Sequence, residues 1–229
     1  MNNQLTVIMP AYNEEKTIEE SIIRVLSQES VAQLIVVDDA STDNTLKILS
    51  KFSDSRLKIV SHAVNKGKGA SLASALPFIQ QPFTIIQDAD LEYDPAEYSK
   101  LLHPILMGKA DVVYGSRFLG SGEKRVLYFW HYVANRILTL LSNCFTNLNL
   151  SDMETCYKLV KSETFHKISL KEKRFGIEPE LTAKFAKLKL KFYEVPINYY
   201  GRTYQDGKKI RFHDAFRAVY SIFRYNLFN

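Results

Sequence analysis

Two aspartates one residue apart, Asp88 and Asp90 around Ala89, offer oxygen ligands to a hard divalent cation, and Glu92 adds a third carboxylate two residues on. Mg²⁺ or Mn²⁺ held by so few side chains keeps positions open for diphosphate oxygens. It also neutralises charge building on a departing nucleoside diphosphate. Alone, such a triplet is common in acidic loops. Here it is joined by a second acidic pair, Asp38-Asp39, in Val37-Asp38-Asp39-Ala40-Ser41-Thr42-Asp43. Two further polar clusters are Pro10-Ala11-Tyr12-Asn13-Glu14 and Asn65-Lys66-Gly67-Lys68-Gly69. Gly115-Ser116-Arg117 sets an arginine after a turn, and the planar guanidinium binds phosphate oxygens bidentately. No glycine stands between Pro10 and Glu15 and no GxGxxG follows a strand, which disfavours nucleotidyl transfer and NAD binding.

The first half of the chain alternates strand-like and helix-like segments that would position these residues. Short apolar runs at Leu5 to Met9 (closed by Pro10), Leu34 to Val37, Leu57 to Val60, Phe83 to Ile86 and Asp111 to Tyr114 read as strands. Glu14 to Ser27 carries Ile18, Ile22 and Val25 at helical spacing, with Asn13 as its expected cap. Ser41-Thr42-Asp43 offers caps for a helix with Leu46, Leu49 and Phe52 inward, and Gly69 to Leu76 reads as a helix of small residues. Strand and helix in alternation predict an α/β fold, a mostly parallel sheet flanked by helices. Such sheets bind ligands beyond the carboxyl ends of their strands, and each polar cluster lies just past a strand.

Val126 to Leu150, with Trp130, Tyr132, Ile137, Leu140 and Leu141, reads as an amphipathic helix. So does Phe212 to Phe228, with Phe212, Phe216, Val219, Ile222 and Phe223 interleaved by Arg217 and Arg224. Both suit core packing. The second also suits a basic aromatic helix at a membrane interface, or a contact with another subunit.

In this order the four clusters resemble the inverting family 2 glycosyltransferases of A-type (Rossmann-like) fold, over nearly the whole chain. The likeness is nearest to polyprenyl-phosphate sugar synthases, the dolichyl-phosphate mannose and glucose synthases among them. The resemblance implies one domain over 1–229, with a nucleotide-sugar half at 1–117 and an acceptor half at 118–229. It places Pro10, Tyr12, Glu14, Asp39, Lys68, Asp88, Ala89 and Asp90 at the nucleotide sugar, a UDP- or GDP-hexose. It gives Asp88, Asp90 and Glu92 to the metal, with Glu92 where the mannose synthases carry Gln. Arg117, Arg125, Arg202, Lys208 and Lys209 fall to diphosphate or acceptor phosphate, with Lys124 beside them in a polar loop from Phe118 to Arg125. The turn Ser151-Asp152-Met153-Glu154-Thr155-Cys156-Tyr157-Lys158 departs from the family's Ser-Gly-Phe-Arg. Glu178 and Glu180 around Pro179 either open a helix, where acids suit the dipole, or face the acceptor.

Asp90, Arg117 and Asp152 are the expected catalytic residues. A hydroxyl acceptor needs a general base, with Asp152 first and Glu178 second. A phosphomonoester, with a second pKa of about 6, needs none. The expected acceptor is a polyprenyl phosphate, with a glycan hydroxyl as the alternative.

The composition bounds the rest. The 229 residues are 46% hydrophobic and 24% charged, a globular balance with room for a large core. Much of the net charge of +5 falls between Arg202 and Asn229, where six basic residues face two acidic ones, and such a tail suits an anionic partner. Nucleic acid is not expected. Cys144 and Cys156 form no CxxC pair and read as reduced core residues. With a polar Met1 to Gln4 and no apolar stretch of about 20 residues, a cytoplasmic protein peripheral to a membrane is expected.

Overall fold

The computed structural model describes residues 4–120, 126, 128–202 and 212–228. Seven strands form a sheet: β1 (Leu5–Ala11), β2 (Val31–Asp38), β3 (Leu57–Ser61), β4 (Phe83–Ile86), β5 (Val112–Ser116), β6 (Lys158–Lys161) and β7 (Phe192–Pro196). Their spatial order is β3-β2-β1-β4-β6-β5-β7. β1, β2, β3 and β4 pair in parallel, as do β5 and β7, while β6 runs against both its neighbours. The helices are α1 (Ile18–Leu26), α2 (Thr45–Leu49), α3 (Lys68–Ala75), α4 (Tyr98–Leu106), α5 (Phe129–Thr146), α6 (Glu163–His166), α7 (Ile177–Lys187) and α8 (Phe212–Leu227). The expected mostly parallel sheet with flanking helices is what the chain forms.

β1 and β2 are apolar along nearly their whole length because helices cover both faces of the sheet. Ile18, Ile22 and Val25 of α1 are fully buried against it, as their spacing predicts. Several local expectations are corrected. Pro10 does not close β1, which continues to Ala11 with Pro10 in register with Val37. β4 pairs with β1 only as far as Ile8, so a missing N–H beyond it is tolerated on that side. Asn13 does not cap α1, whose N-cap is Thr17. Asn13 instead adopts φ 51° and accepts the Thr42 N–H at 2.7 Å, tying the turn after β1 to the turn after β2. Leu49 of α2 is buried but Leu46 is exposed, because this helix is too short to carry a full inner stripe. Cys156 is buried as expected, whereas Cys144 lies on the exposed side of α5.

Two glycines are required by close approach. Gly67 has φ 95°, a region that favours glycine, and its N–H meets Asp39. At Gly69, in the first turn of α3, an added Cβ would overlap the backbone carbonyl oxygen of Glu172. At Gly120 it would meet nothing within 4 Å among the described residues. Gly69→Ala should therefore lower stability by about 1–3 kcal/mol in urea denaturation, and Gly120→Ala by less than about 0.5 kcal/mol.

Candidate active site

The site lies where the carboxyl ends of β1, β2, β4 and β5 meet. Its backbone is unusually bent. Asn13 (φ 51°), Ala40 (φ 58°) and Leu91 (φ 62°) are non-glycine residues with positive φ, each beside a polar cluster singled out above. Such conformations persist only where surrounding contacts hold them.

Asp39, just past β2, is buried and organises the turn before α3. One of its oxygens accepts the Lys66 N–H at 2.8 Å and lies 2.7 Å from His62 Nδ1, and the other accepts the Gly67 N–H at 2.6 Å. His62 Nε2 lies 2.9 Å from the Ser74 hydroxyl, so a polar relay runs from α3 to Asp39. Asp38 is also buried. It accepts the Ser41 N–H at 3.3 Å through Oδ2, and among the described residues its Oδ1 has no partner. Tyr12 and Pro10 are half-buried at the end of β1, at the mouth of the same edge, and Ala89 is buried beneath Asp88 and Asp90.

A chain of alternating charges crosses the floor. Asp88 meets Lys68 at 2.8 Å, Lys68 meets Glu178 at 3.0 Å, and Glu178 pairs with the fully buried Lys158. Lys158 also donates to the Thr155 carbonyl and sits 4.8 Å from the centre of the Tyr114 ring. Burial opposes the charge on Lys68, yet Asp88 and Glu178 outweigh it and hold the ammonium well above its usual range. The same lysine overcomes burial to draw the Asp88 carboxyl below its usual range.

Asp90 faces the other way. Its Oδ2 accepts from Arg202 at 2.9 Å, and Arg202 also reaches Glu14 at 3.3 Å. Burial, then the charges of Asp88 and Glu92, push the Asp90 carboxyl up to about 7 against the pull of Arg202. Glu92 is turned to the segment after β7, where it accepts the Tyr199 hydroxyl at 2.8 Å and the Arg202 N–H at 2.6 Å. Among the described residues no three His, Cys, Asp or Glu side chains converge as a metal cage. Asp88 and Asp90 nevertheless fit a divalent cation. Mg²⁺ is commonly held by one or two carboxylates with phosphate oxygens completing the shell, and crowded acids at Asp90 favour added positive charge. Glu92, the expected third ligand, here clamps the backbone and ring of a neighbouring segment with its carboxylate.

Asp152 is fully buried. Its oxygens accept from Arg117 Nε and Nη2, both at 2.7 Å, and from the Arg117 backbone N–H at 3.0 Å. That bidentate grip leaves Asp152 closed to a substrate proton and makes it the residue that aims Arg117. Burial opposes the guanidinium charge, but Asp152 holds it well above its usual range. Arg117 also donates to Asn135 of α5 at 3.4 Å. Glu180, one of two acids left open between helix opening and acceptor contact, accepts the backbone N–H groups of Lys171 and Glu172 at 2.7 Å. It is therefore structural, whereas Glu178 lies in the crevice. Arg125, Lys208 and Lys209, with Lys124, lie outside the described residues.

His62, Glu154 and Lys158 belong to the site and were not singled out from the sequence. Lys158 had a visible signal, since it stands where the resembling enzymes carry arginine. His62 and Glu154 had none beyond their position near strand ends.

Residues 6–169 match the family described as Glycosyl transferase family 2. The chain belongs to this family. The glycosyltransferase is 24% identical over 235 residues to the UDP-N-acetylglucosamine–dolichyl-phosphate N-acetylglucosaminyltransferase of Methanococcus voltae, covering 94% of this chain and 93% of that one. It is 29% identical over 197 residues to glycosyltransferase AglJ of Haloferax volcanii, covering 86% of this chain and 63% of that one. Its fold matches glucosyl-3-phosphoglycerate synthase from Mycobacterium tuberculosis, solved with Mn²⁺, UDP and glucosyl-3-phosphoglycerate. The TM-score is 0.75 at 21% identity, over 98% of this chain and 80% of that one. The A-type glycosyltransferase fold implied by the sequence is thereby shown.

The Arg117–Asp152 pair yields a direct test. Asp152→Asn keeps shape but leaves the buried guanidinium without its counter-charge, which should cost about 3–5 kcal/mol of stability. Chemical denaturation would measure the loss, and unchanged stability would show that Arg117 finds another partner.

Proposed function

We propose that this glycosyltransferase moves a hexose from a UDP- or GDP-sugar to a polyprenyl phosphate at a membrane surface, with Mg²⁺ or Mn²⁺ held by Asp88 and Asp90. Bound there, the metal would neutralise charge on the departing diphosphate. Residues 1–117 would receive the nucleotide sugar. Tyr12, Glu14 and Lys68 would border it, and Asp39 would shape the turn beneath it. Residues 118–229 would receive the acceptor, with Arg117 at the boundary and its fork turned by Asp152. Arg202, which meets Glu14 and Asp90, would meet diphosphate oxygens on the donor side.

The observation that carries the acceptor assignment is the outward turn of the apolar faces of α5, which meets Arg117 through Asn135, and of α8, which packs against α5. On α5, Trp130 is 75% exposed and Leu140 65% exposed, while the small Thr139 and Ser142 face inward. On α8, Phe216 is 67% exposed and Tyr220 and Leu227 are exposed too, whereas Ile222 is buried. The Phe145 and Phe223 rings, 5.0 Å apart, hold the two helices together. Core packing, the first expectation for both, thus accounts for only one side of each. No described helix is long and apolar enough to cross a membrane, so the pair suits a lipid surface rather than a span. A phosphate on that lipid would reach Arg117 without needing a catalytic base. The dolichyl-phosphate acceptor in the name of the Methanococcus voltae relative is of the same chemistry.

The test is release of free nucleoside diphosphate from a panel of UDP- and GDP-sugars, with and without Mg²⁺ or Mn²⁺ and a short polyprenyl phosphate. Release should require both metal and lipid phosphate, and Asp90→Ala should fall by at least about 10²-fold while keeping its fold. Release indifferent to the lipid phosphate would move the acceptor to a hydroxyl. Full activity of Asp90→Ala would overturn the metal assignment.

A further inference from the structure

Glu154 is the acid of the crevice that the proposed transfer leaves without a task. It lies between two pinned points of the segment that leads into β6. Asp152 before it grips Arg117, and the Thr155 hydroxyl after it donates to the Gly115 carbonyl. Met153 and Cys156 are fastened through their N–H groups to Thr139 and to the Tyr93 hydroxyl, at 3.1 Å each. The backbone around Glu154 is thus fixed, and its side chain has little choice of position. Glu154 is half-buried; its Oε1 is shut off from solvent and has no hydrogen-bond partner among the described residues, while the rest of the side chain stays within reach of the crevice. The charged groups that face it are Glu178 of α7, Lys158 of β6, and Arg117 and Asp152. Each of these is already matched: Lys158 with Glu178, Arg117 with Asp152. No described cation is left over for Glu154.

A carboxylate oxygen closed to water and without a partner is costly, so the group favours its neutral form. Burial, then the Glu178 charge, push its carboxyl up to about 7, only partly opposed by Lys158 and Arg117. A neutral carboxylic acid carries an O–H, and beside Arg117 that O–H can complete a binding site for a phosphate.

We propose that Glu154 contacts the acceptor, donating a hydrogen bond from its carboxyl group to an oxygen of the acceptor phosphate that Arg117 also holds. This rests on the lipid-phosphate reading and deepens it. The attacking phosphate oxygen forms the new bond to the anomeric carbon as the bond to the nucleoside diphosphate breaks, and Glu154 keeps its proton throughout. Ionised Glu154 would set a negative charge against the phosphate dianion. Transfer should therefore fall as pH rises through the Glu154 pKa, the direction expected of an acid that works protonated.

Glu154→Gln tests this, since the amide keeps the shape and the donor and cannot ionise. The measurement is kcat/KM for the polyprenyl phosphate at about pH 6 and about pH 8.5, on either side of the pKa. At the lower pH the variant should stay within about threefold of the unaltered enzyme, and at the higher pH it should exceed it. Glu154→Ala, lacking the donor, should raise the acceptor KM about tenfold at either pH and leave the nucleotide-sugar KM unchanged. A loss of about 10²-fold or more in Glu154→Gln at both pH values, with the fold intact by circular dichroism, would make Glu154 a proton acceptor and overturn the proposal. An unchanged pH profile in Glu154→Gln would overturn it too. If the unaltered enzyme itself gives no transfer to lipid phosphate, the underlying reading fails, and that result is visible without any variant.

Discussion

The site depends on one constraint: each buried charge on its floor needs a neighbour of opposite sign. Asp88, Lys68, Glu178 and Lys158 satisfy it by alternating, and they come from the end of β4, the start of α3, the first turn of α7 and the start of β6. An isolated ion in such a place is very unfavourable, so none of the four can leave without stranding another. Four elements far apart in sequence are thereby clamped around one crevice. The close packing of α3 on the segment before α7 follows from the same clamp. Only glycine at position 69 lets the two backbones approach closely enough for Lys68 to reach both carboxylates.

The reversed strand is the second half of this arrangement. β6 lies between β4 and β5 and runs against both, in register from Lys158 opposite Tyr114 and Leu159 opposite Ile85. A parallel strand there would deliver its first residue to the far edge of the sheet. Reversal delivers Lys158, and the segment from Asp152 to Tyr157 before it, to the edge where β4 and β5 end. Arg117 leaves β5 at that edge and finds Asp152 waiting. The order Asp152, Glu154, Lys158 along the chain becomes an order in space: a grip on Arg117, an unpaired acid, and a cation held by Glu178.

Much of this was legible beforehand, and the reasons for the rest are physical. β4 is found where its short apolar run placed it, β1, β2 and β3 grow by one to four residues, and β5 drops Asp111 and runs on to Ser116; strands buried on both faces read as continuous apolar runs. The acids at strand ends were legible for the same reason: a charge straight after such a run has nowhere to go but the edge. What sequence spacing does not carry is partner choice. Glu92 stands two residues after Asp90 as a third ligand would, yet a positive φ at Leu91 turns the chain and sends Glu92 to Tyr199 and Arg202. Asn13 has the composition of a helix cap, yet the turn after β2 offers it a better set of bonds. The aromatic helices show the amphipathic period, but period alone does not say whether water, lipid or protein meets the outer face. That α5 buries Leu138, Thr139 and Ser142 and exposes Trp130 and Leu140 is a property of the neighbours it packs against.

The two sides of the crevice are built to different electrostatic rules. Around Arg117 and Lys158 the described charges are closed pairs, so both side chains are fixed in place before any ligand arrives. Around Arg202 the pattern differs: among the described contacts its guanidinium meets Glu14, Asp90 and Glu92, at 3.3, 2.9 and 3.7 Å. Asp90 is crowded by Asp88 and Glu92, which is the local field a divalent cation neutralises. Arg202 is held there by its backbone N–H on Glu92, and the bridge between Tyr93 and Tyr199 fastens the preceding residues. A diphosphate arriving with a cation would free this guanidinium from Asp90 while the backbone anchor stayed, so the side chain can change partners without the segment moving. A rigid side at Arg117 and an exchangeable side at Arg202 would suit the proposed transfer, in which a charged product leaves each turnover while the nucleophile stays aligned.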